Sequence, residues 1–515
     1  MADRKERKTG GVEYEHVGTE YLRERELTRY AGVMLIWALG VGYVISGEYF
    51  SWNFGLDAGG FGGLLIATIL MAVMYVTMIF CVSEMATSLP HTGGPYAFAR
   101  RALGPWGGFA TGLGAIVEYV LATATISVGI GAYITALPPF DDLPNVWFLE
   151  PIEWISILSY AVFLTINIVG VRETLWSVFV ITGISVVMLL VWAIALLPEW
   201  SSSGFTNIEV DPDKWGSRDW LPFGIAGIWA AMPFAIWFYL AIEGTPLASE
   251  ETKNPARDLP RGTILAMFSL VGFSAIAFFI GGGISAEGLR SAGNPLPEAW
   301  RLAHSKDWFF WVITTVGLTG LIASFHSLIF AYSRITYALS RAGYIPRVLS
   351  VTGGRRTPIV ALILPGIVAW SLVFAYNRID AATAIPNLTQ ISVFGALVTY
   401  VLMMASFIIL RRREPNLSRP YRAPGGQATA GVAFVLAAVA MGSAFWYTSA
   451  SRWTIVATIG AILLGLVYFG LFSRHRLVAE APEEEFALIE EAEAELEPVL
   501  PEPPAGPAPG GPLDR

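Results

Sequence analysis

A chain of 515 residues with a net charge of −8 carries 54% hydrophobic and only 14% charged residues, and its mean hydropathy is +0.55. Soluble domains carry roughly 25% charged residues, so a soluble enzyme is excluded at the outset. The single cysteine, Cys81, excludes an internal disulfide framework and any multi-thiolate metal or iron–sulfur centre. No cofactor and no nucleic acid is implied.

Residues 1–29 are polar and mixed in charge (RKERKTGG, then YLRERELTRY), without the cleavage site of a signal peptide, so the first apolar run is expected to be retained. Twelve apolar runs follow, at 30–52, 61–86, 106–137, 152–171, 174–198, 222–247, 261–285, 307–340, 358–376, 384–411, 427–448 and 452–473. Each is roughly 20 residues, the length a helix needs to cross about 30 Å of hydrocarbon. Continuous runs lack the period-two alternation of barrel strands, which predicts an all-α polytopic membrane protein. Arg100, Arg101, Arg172, Lys253, Arg257, Arg341, Arg347 and Arg411–Arg413 fall on one side, and fewer cations (Lys214, Arg290, Arg378) on the other. The positive-inside rule then places both termini in the cytoplasm of a cell-membrane protein. From about residue 477 the chain turns acidic and then Pro/Gly-rich (EEEFALIEEAEAELEPVLPEPPAGPAPGGP), which predicts a solvated, disordered tail over 477–515.

Charges at bilayer depth cost at least about 2.5 kcal/mol and usually face a cavity or a partner. Four acidic residues break the pattern: Glu48, Glu84, Glu118 and Glu243. Segment 1 (GVGYVISGEYFSWNFGL) weakens its helix with Gly40, Gly42, Ser46 and Gly47 just before Glu48, which predicts an unwound, cavity-lining stretch. Segment 6 (WAAMPFAIWFYLAIEGTPLASEETKNP) is interrupted by Pro233, Gly244 and Pro246, with Glu243 beside the break. Interrupted helices at matching positions of two halves are the best sequence pointer to a transporter's binding site. Segment 3 places Gly104, Gly108 and Gly112 four residues apart, a smooth face for close packing, and Glu118 near its middle without a cation in its own helix. Segment 8 carries His326 near Thr319, Ser324 and Ser327, either a packed histidine or a proton carrier.

Three motifs occurring in order, SEMATSLPHTGGPYAFARRALGPWGGF, WFYLAIEGTPLASEETKNPARDLPRG and YSRITYALSRAGYIPRVLSVTGGRRTP, resemble those of the amino acid–polyamine–organocation permeases. VISGEYFSWNFGLDAGGFGG makes the likeness nearest to the ethanolamine permease branch. The resemblance implies five-plus-five inverted repeats with helices 1 and 6 broken, a transport core over 30–411, two further helices over 412–476, and alternating access. It also implies backbone carbonyls of Val44, Trp237 and Leu240 for a substrate ammonium, and amides near Ser46 and Gly47 for a carboxylate. The chain departs from the family's small Gly-Ser/Thr-Gly run by ending it in Glu48. A fixed anion there repels a carboxylate and attracts a bare ammonium, which predicts a small cationic amine as substrate, ethanolamine by the resemblance. The alternative is an amino acid or polyamine transporter or exchanger. Glu48 and Glu118 are the expected ammonium partners. Tyr43, Trp237, Phe238 and Tyr239 are candidate aromatic walls, with Phe238 the candidate gate. Glu243, Glu84 and His326 are gating or coupling candidates. Segment 5 lacks the lysine that some relatives use as a proton site, so the coupling ion, H⁺ or Na⁺, stays open.

Overall fold

The computed structural model describes residues 14–15, 29–137, 140, 142–353, 357–381, 383–446 and 452–478. The expected N-terminal segment and acidic tail lie almost wholly outside the described residues. The helices are α1 (Val33–Val44), α2 (Ser46–Tyr49), α3 (Phe54–Ser88), α4 (Pro95–Thr135), α5 (Pro151–Val169), α6 (Val171–Leu196) and α7 (Gly224–Trp237). After a 3₁₀ segment (Ile242–Glu251) come α8 (Pro255–Leu289), α9 (Pro295–Ala303), α10 (Trp308–Arg341), α11 (Ile359–Asp380), α12 (Ala384–Arg413), α13 (Gln427–Trp446) and α14 (Arg452–Leu471).

Among the described residues, 11 helical stretches are long and apolar enough to cross a membrane, and a shorter apolar stretch, Val33–Tyr49, joins them. Each of the expected runs has its helix. Ile194 and Leu464 stay 67% and 71% exposed, a liability in water and a requirement for a surface that faces lipid. The order of elements repeats. An interrupted span precedes a helix of 35 residues in each half, α1–α2 before α3 and α7 with its 3₁₀ continuation before α8. Tyr14–Glu15 pairs in parallel with Leu477–Val478, so the two ends of the described chain share one side, as an even number of crossings requires.

A close helix crossing positions the site. A Cβ on Gly114 of α4 would lie 2.9 Å from the Gly395 carbonyl of α12, and one on Gly395 would lie 2.8 Å from the Gly114 carbonyl. Only glycine admits such backbone contact, and the contact brings Glu118 within reach of Tyr400. The evenly spaced glycines of segment 3 do not form one face. Gly104 takes φ +76° and kinks the helix, and a Cβ there would meet nothing within 4 Å, whereas Gly108 packs on Arg100 and Gly112 on Leu339.

Candidate substrate site

The first interruption is shallower than the sequence predicts. Ile45 keeps helical angles and Ser46–Tyr49 forms a further turn, so Ser46–Gly47–Glu48 is not unwound. A first-turn N–H has no helical partner, and the Ser46 amide donates instead to Ser324 Oγ of α10 at 2.8 Å. The chain opens only beyond, at extended Phe50 (φ −165°) and left-handed Ser51 (φ +74°).

The second interruption falls between Trp237 and Ile242. Its turning residue is Ala241 at φ +77°, not Gly244 or Pro246. Left-handed backbone costs a residue with a Cβ roughly 1–2 kcal/mol and persists only where the surroundings dictate it. Pro233 stays inside α7 without ending it.

The two interruptions touch. A Cβ on Gly47 would fall 2.4 Å from the Trp237 carbonyl oxygen and 3.1 Å from Phe238 Cα, so glycine is required at that position. Next to it, Glu48 is fully buried, and neither carboxylate oxygen has a hydrogen-bond partner. Among the described residues no Lys, Arg or His pairs with it. Trp237 Nε1 and Tyr43 Oη are also buried without partners. Val44 and Leu240 are buried at the same junction. Tyr239 turns its hydroxyl to Ser274 Oγ at 2.8 Å.

Aromatic rings cover this junction on one side. Trp52 donates its Nε1–H to the Glu48 carbonyl at 3.1 Å and stacks on Phe238 with centroids 5.7 Å apart. Phe50 meets Trp237 edge-on at 6.0 Å. Toward the arginine-rich end, ion pairs tie the 3₁₀ segment to α10. Arg334 Nε and Nη2 reach Glu251 Oε1 at 3.0 and 2.7 Å, with both side chains buried. Arg341 Nη2 reaches Glu250 Oε1 at 2.7 Å. The Glu251 carbonyl also accepts from the amides of Tyr30 and Ala31.

Glu118 and Glu243 stand together in a second buried cluster. Tyr400 Oη lies 3.0 Å from Glu118 Oε1 and 2.9 Å from Glu243 Oε2. Tyr119 Oη donates to Glu243 Oε1 at 2.9 Å, and Tyr75 Oη donates to Tyr400 Oη at 3.1 Å. Glu84 is elsewhere. Its carboxylate accepts from Arg411 Nε at 2.7 Å and the Ala423 amide at 2.7 Å, and Arg419 Nε lies 3.1 Å away. His326 is held between Asn167 Nδ2 (2.9 Å) and Ser177 Oγ (2.7 Å). The asparagine nitrogen can only donate, so Nδ1 accepts, Nε2 carries the proton, and the ring is fully satisfied.

The sequence pointed to the glutamates and to the residues of both interruptions, but not to Phe50, Trp52, Tyr75, Tyr119 or Tyr400. Tyr119 follows Glu118 directly, and that adjacency is the one signal available. The partners of Glu243 are 124 and 157 residues away along the chain.

Two interrupted helices meeting over an unpaired buried carboxylate, with rings closing one side and ion pairs the other, define a membrane transporter of the broken-helix class. The amino acid permease family profile matches residues 32–471, and the chain belongs to that family, within the amino acid–polyamine–organocation superfamily. A transporter of Rhizobium meliloti is 30% identical over 407 residues, covering 77% of this chain and 83% of that one. The branched-chain amino acid permease of Bacillus subtilis is 25% identical over 472 residues, 88% and 94% of the two chains. The methylthioribose transporter of the same organism is 24% identical over 423 residues, 78% and 85% of the two chains. The chain is therefore a multi-pass secondary transporter of small organic solutes, and its family and relatives are permeases rather than enzymes.

Proposed function

We propose that the protein imports a small amine lacking a carboxylate, ethanolamine above others, across the cytoplasmic membrane by alternating access, with both termini inside. The observation that carries this reading is Glu48, a buried carboxylate with both oxygens unpartnered at the contact between the two interruptions. Leaving a carboxylate buried and unpaired is strongly unfavourable, and an ammonium ion removes that penalty. Two further features agree. The Ser46 amide, one of those the resemblance assigns to a carboxylate, is already taken by Ser324. Trp237 Nε1 is a buried donor without an acceptor, and the hydroxyl oxygen of an amino alcohol supplies one. An ammonium over an aromatic face gains about 0.5–2 kcal/mol more, and Tyr43, Trp237, Phe238 and Tyr239 are the rings available.

In this mechanism the Trp52–Phe238 stack opens to admit the amine from outside. It then closes over the occupied site, and the ties of Arg334 and Arg341 to the 3₁₀ segment break to release the amine inward. Hydrogen bonds to charged groups contribute about 1.5–3 kcal/mol. Glu48→Gln is therefore expected to weaken labelled ethanolamine uptake in proteoliposomes roughly 10- to 150-fold. Unchanged affinity in that variant removes Glu48 from the site. The second reading, an amino acid substrate, is favoured by the name of the branched-chain amino acid permease relative. Leucine uptake that ethanolamine fails to compete would establish it.

A further inference from the structure

Four oxygen–oxygen contacts link the second cluster: Tyr119–Glu243, Tyr400–Glu243, Tyr400–Glu118 and Tyr75–Tyr400. Each needs one hydrogen between its oxygens. The three phenols supply three, since a tyrosine hydroxyl carries one proton and an ionised carboxylate carries none. With both glutamates ionised, one contact with Tyr400 would set lone pair against lone pair near 3 Å, and the two anions would face each other inside the protein. The fourth hydrogen therefore belongs to a carboxyl group.

We propose that Glu118 and Glu243 hold one shared proton, and that this pair is the transporter's coupling-ion site. The groups facing it are Tyr75 on α3, Glu118 and Tyr119 on α4, Tyr400 on α12 and Tyr43 on α1. Tyr239 is one ring further, its centroid 5.5 Å from that of Tyr75. No Lys, Arg or His pairs with either carboxylate among the described residues. One buried hydroxyl stays unpartnered there, Tyr43 Oη, and the Glu118 carboxyl lies within direct hydrogen-bond reach of Glu243. Tyr43 lies within electrostatic reach of Glu243, Glu251 and Arg334, and in this proposal the proton leaves past it toward the arginine-rich end.

Glu243 rides on the 3₁₀ segment, whereas Glu118 and Tyr400 sit on α4 and α12. With the proton in place the two carboxyls are bridged through Tyr400. Once it leaves, two adjacent anions repel, and the 3₁₀ segment is pushed from α4 and α12 in the direction that opens the arginine-rich end. One proton enters from outside and leaves inside with each substrate, and the only bond made and broken is an O–H bond.

Infrared spectroscopy of the purified full-length protein near neutral pH tests the shared proton without any substrate. Glu48→Gln serves as background, so that Glu48 does not contribute. A protonated carboxylic acid band is expected, and a component of it should vanish when Glu118→Gln is added, because the new amide supplies the fourth hydrogen whichever carboxyl held it. A band unchanged by Glu118→Gln would overturn the proposal. In wild-type proteoliposomes, amine entry should acidify the lumen, and an inward proton gradient should drive accumulation. Accumulation driven by sodium without acidification would equally overturn it. Loss of ethanolamine uptake with the infrared result intact would sink the substrate reading and leave the proton site standing.

Discussion

Glu48 acts through what surrounds it more than through its charge alone. Among the described residues, buried Glu84 pairs with Arg411 and buried Glu251 with Arg334. Glu48 has no such partner, and a carboxyl group left without a partner in the interior is free to pair with a ligand that is cationic where it touches. Trp237 offers the complementary donor. A neutral hydrogen bond contributes about 0.5–1.5 kcal/mol. Trp237→Phe should therefore reduce the preference for ethanolamine over ethylamine by about 2- to 12-fold, measured as competing inhibition of uptake. An unchanged ratio would mean that the indole nitrogen does not touch the hydroxyl. The sequence marked Glu48 plainly, because a carboxylate in an apolar run stands out. It gave no hint that Ser324 would occupy the Ser46 amide, a contact across 278 residues.

At the scale of elements, the 3₁₀ segment Ile242–Glu251 is the piece on which both closures converge. Its far end is fixed to α10 by Arg334 and Arg341, and its near end carries Glu243 into the tyrosine cluster. Removing one partner of a buried ion pair costs about 3–5 kcal/mol, whereas replacing both by apolar groups is often neutral. Arg334→Met should thus lower the thermal unfolding midpoint of the purified protein, and Arg334→Met with Glu251→Met should recover most of the loss. A single variant as stable as wild type would show that the tie carries no load. This element was only half legible. Gly244 and Pro246 announced an interruption, yet the turn occurs at Ala241, where left-handed backbone is imposed by tertiary packing and leaves no mark on composition. The same holds in reverse for Gly104, whose spacing suggested packing and whose positive φ makes a kink.

Across the whole molecule, the twelve crossings were readable because lipid demands long apolar runs and the chain supplies them without ambiguity. The side chains that matter between crossings were not readable. They meet through close backbone contact at Gly114 and Gly395, 281 positions apart by their numbers, and only the folded bundle brings them together. Residues 479–515 lie outside the described residues. Truncation after Val478, which preserves the Tyr14–Glu15 pairing with Leu477–Val478, is expected to leave uptake in proteoliposomes unchanged, and its loss would give the tail an essential part.

Selection by a lone anion is tested most directly by competition between solutes of similar size that differ in one group. Labelled ethanolamine uptake into vesicles carrying the full-length protein should be blocked by unlabelled ethanolamine and hardly touched by equal concentrations of glycine, whose carboxylate meets Glu48. Glycine competing as strongly as ethanolamine would contradict the account.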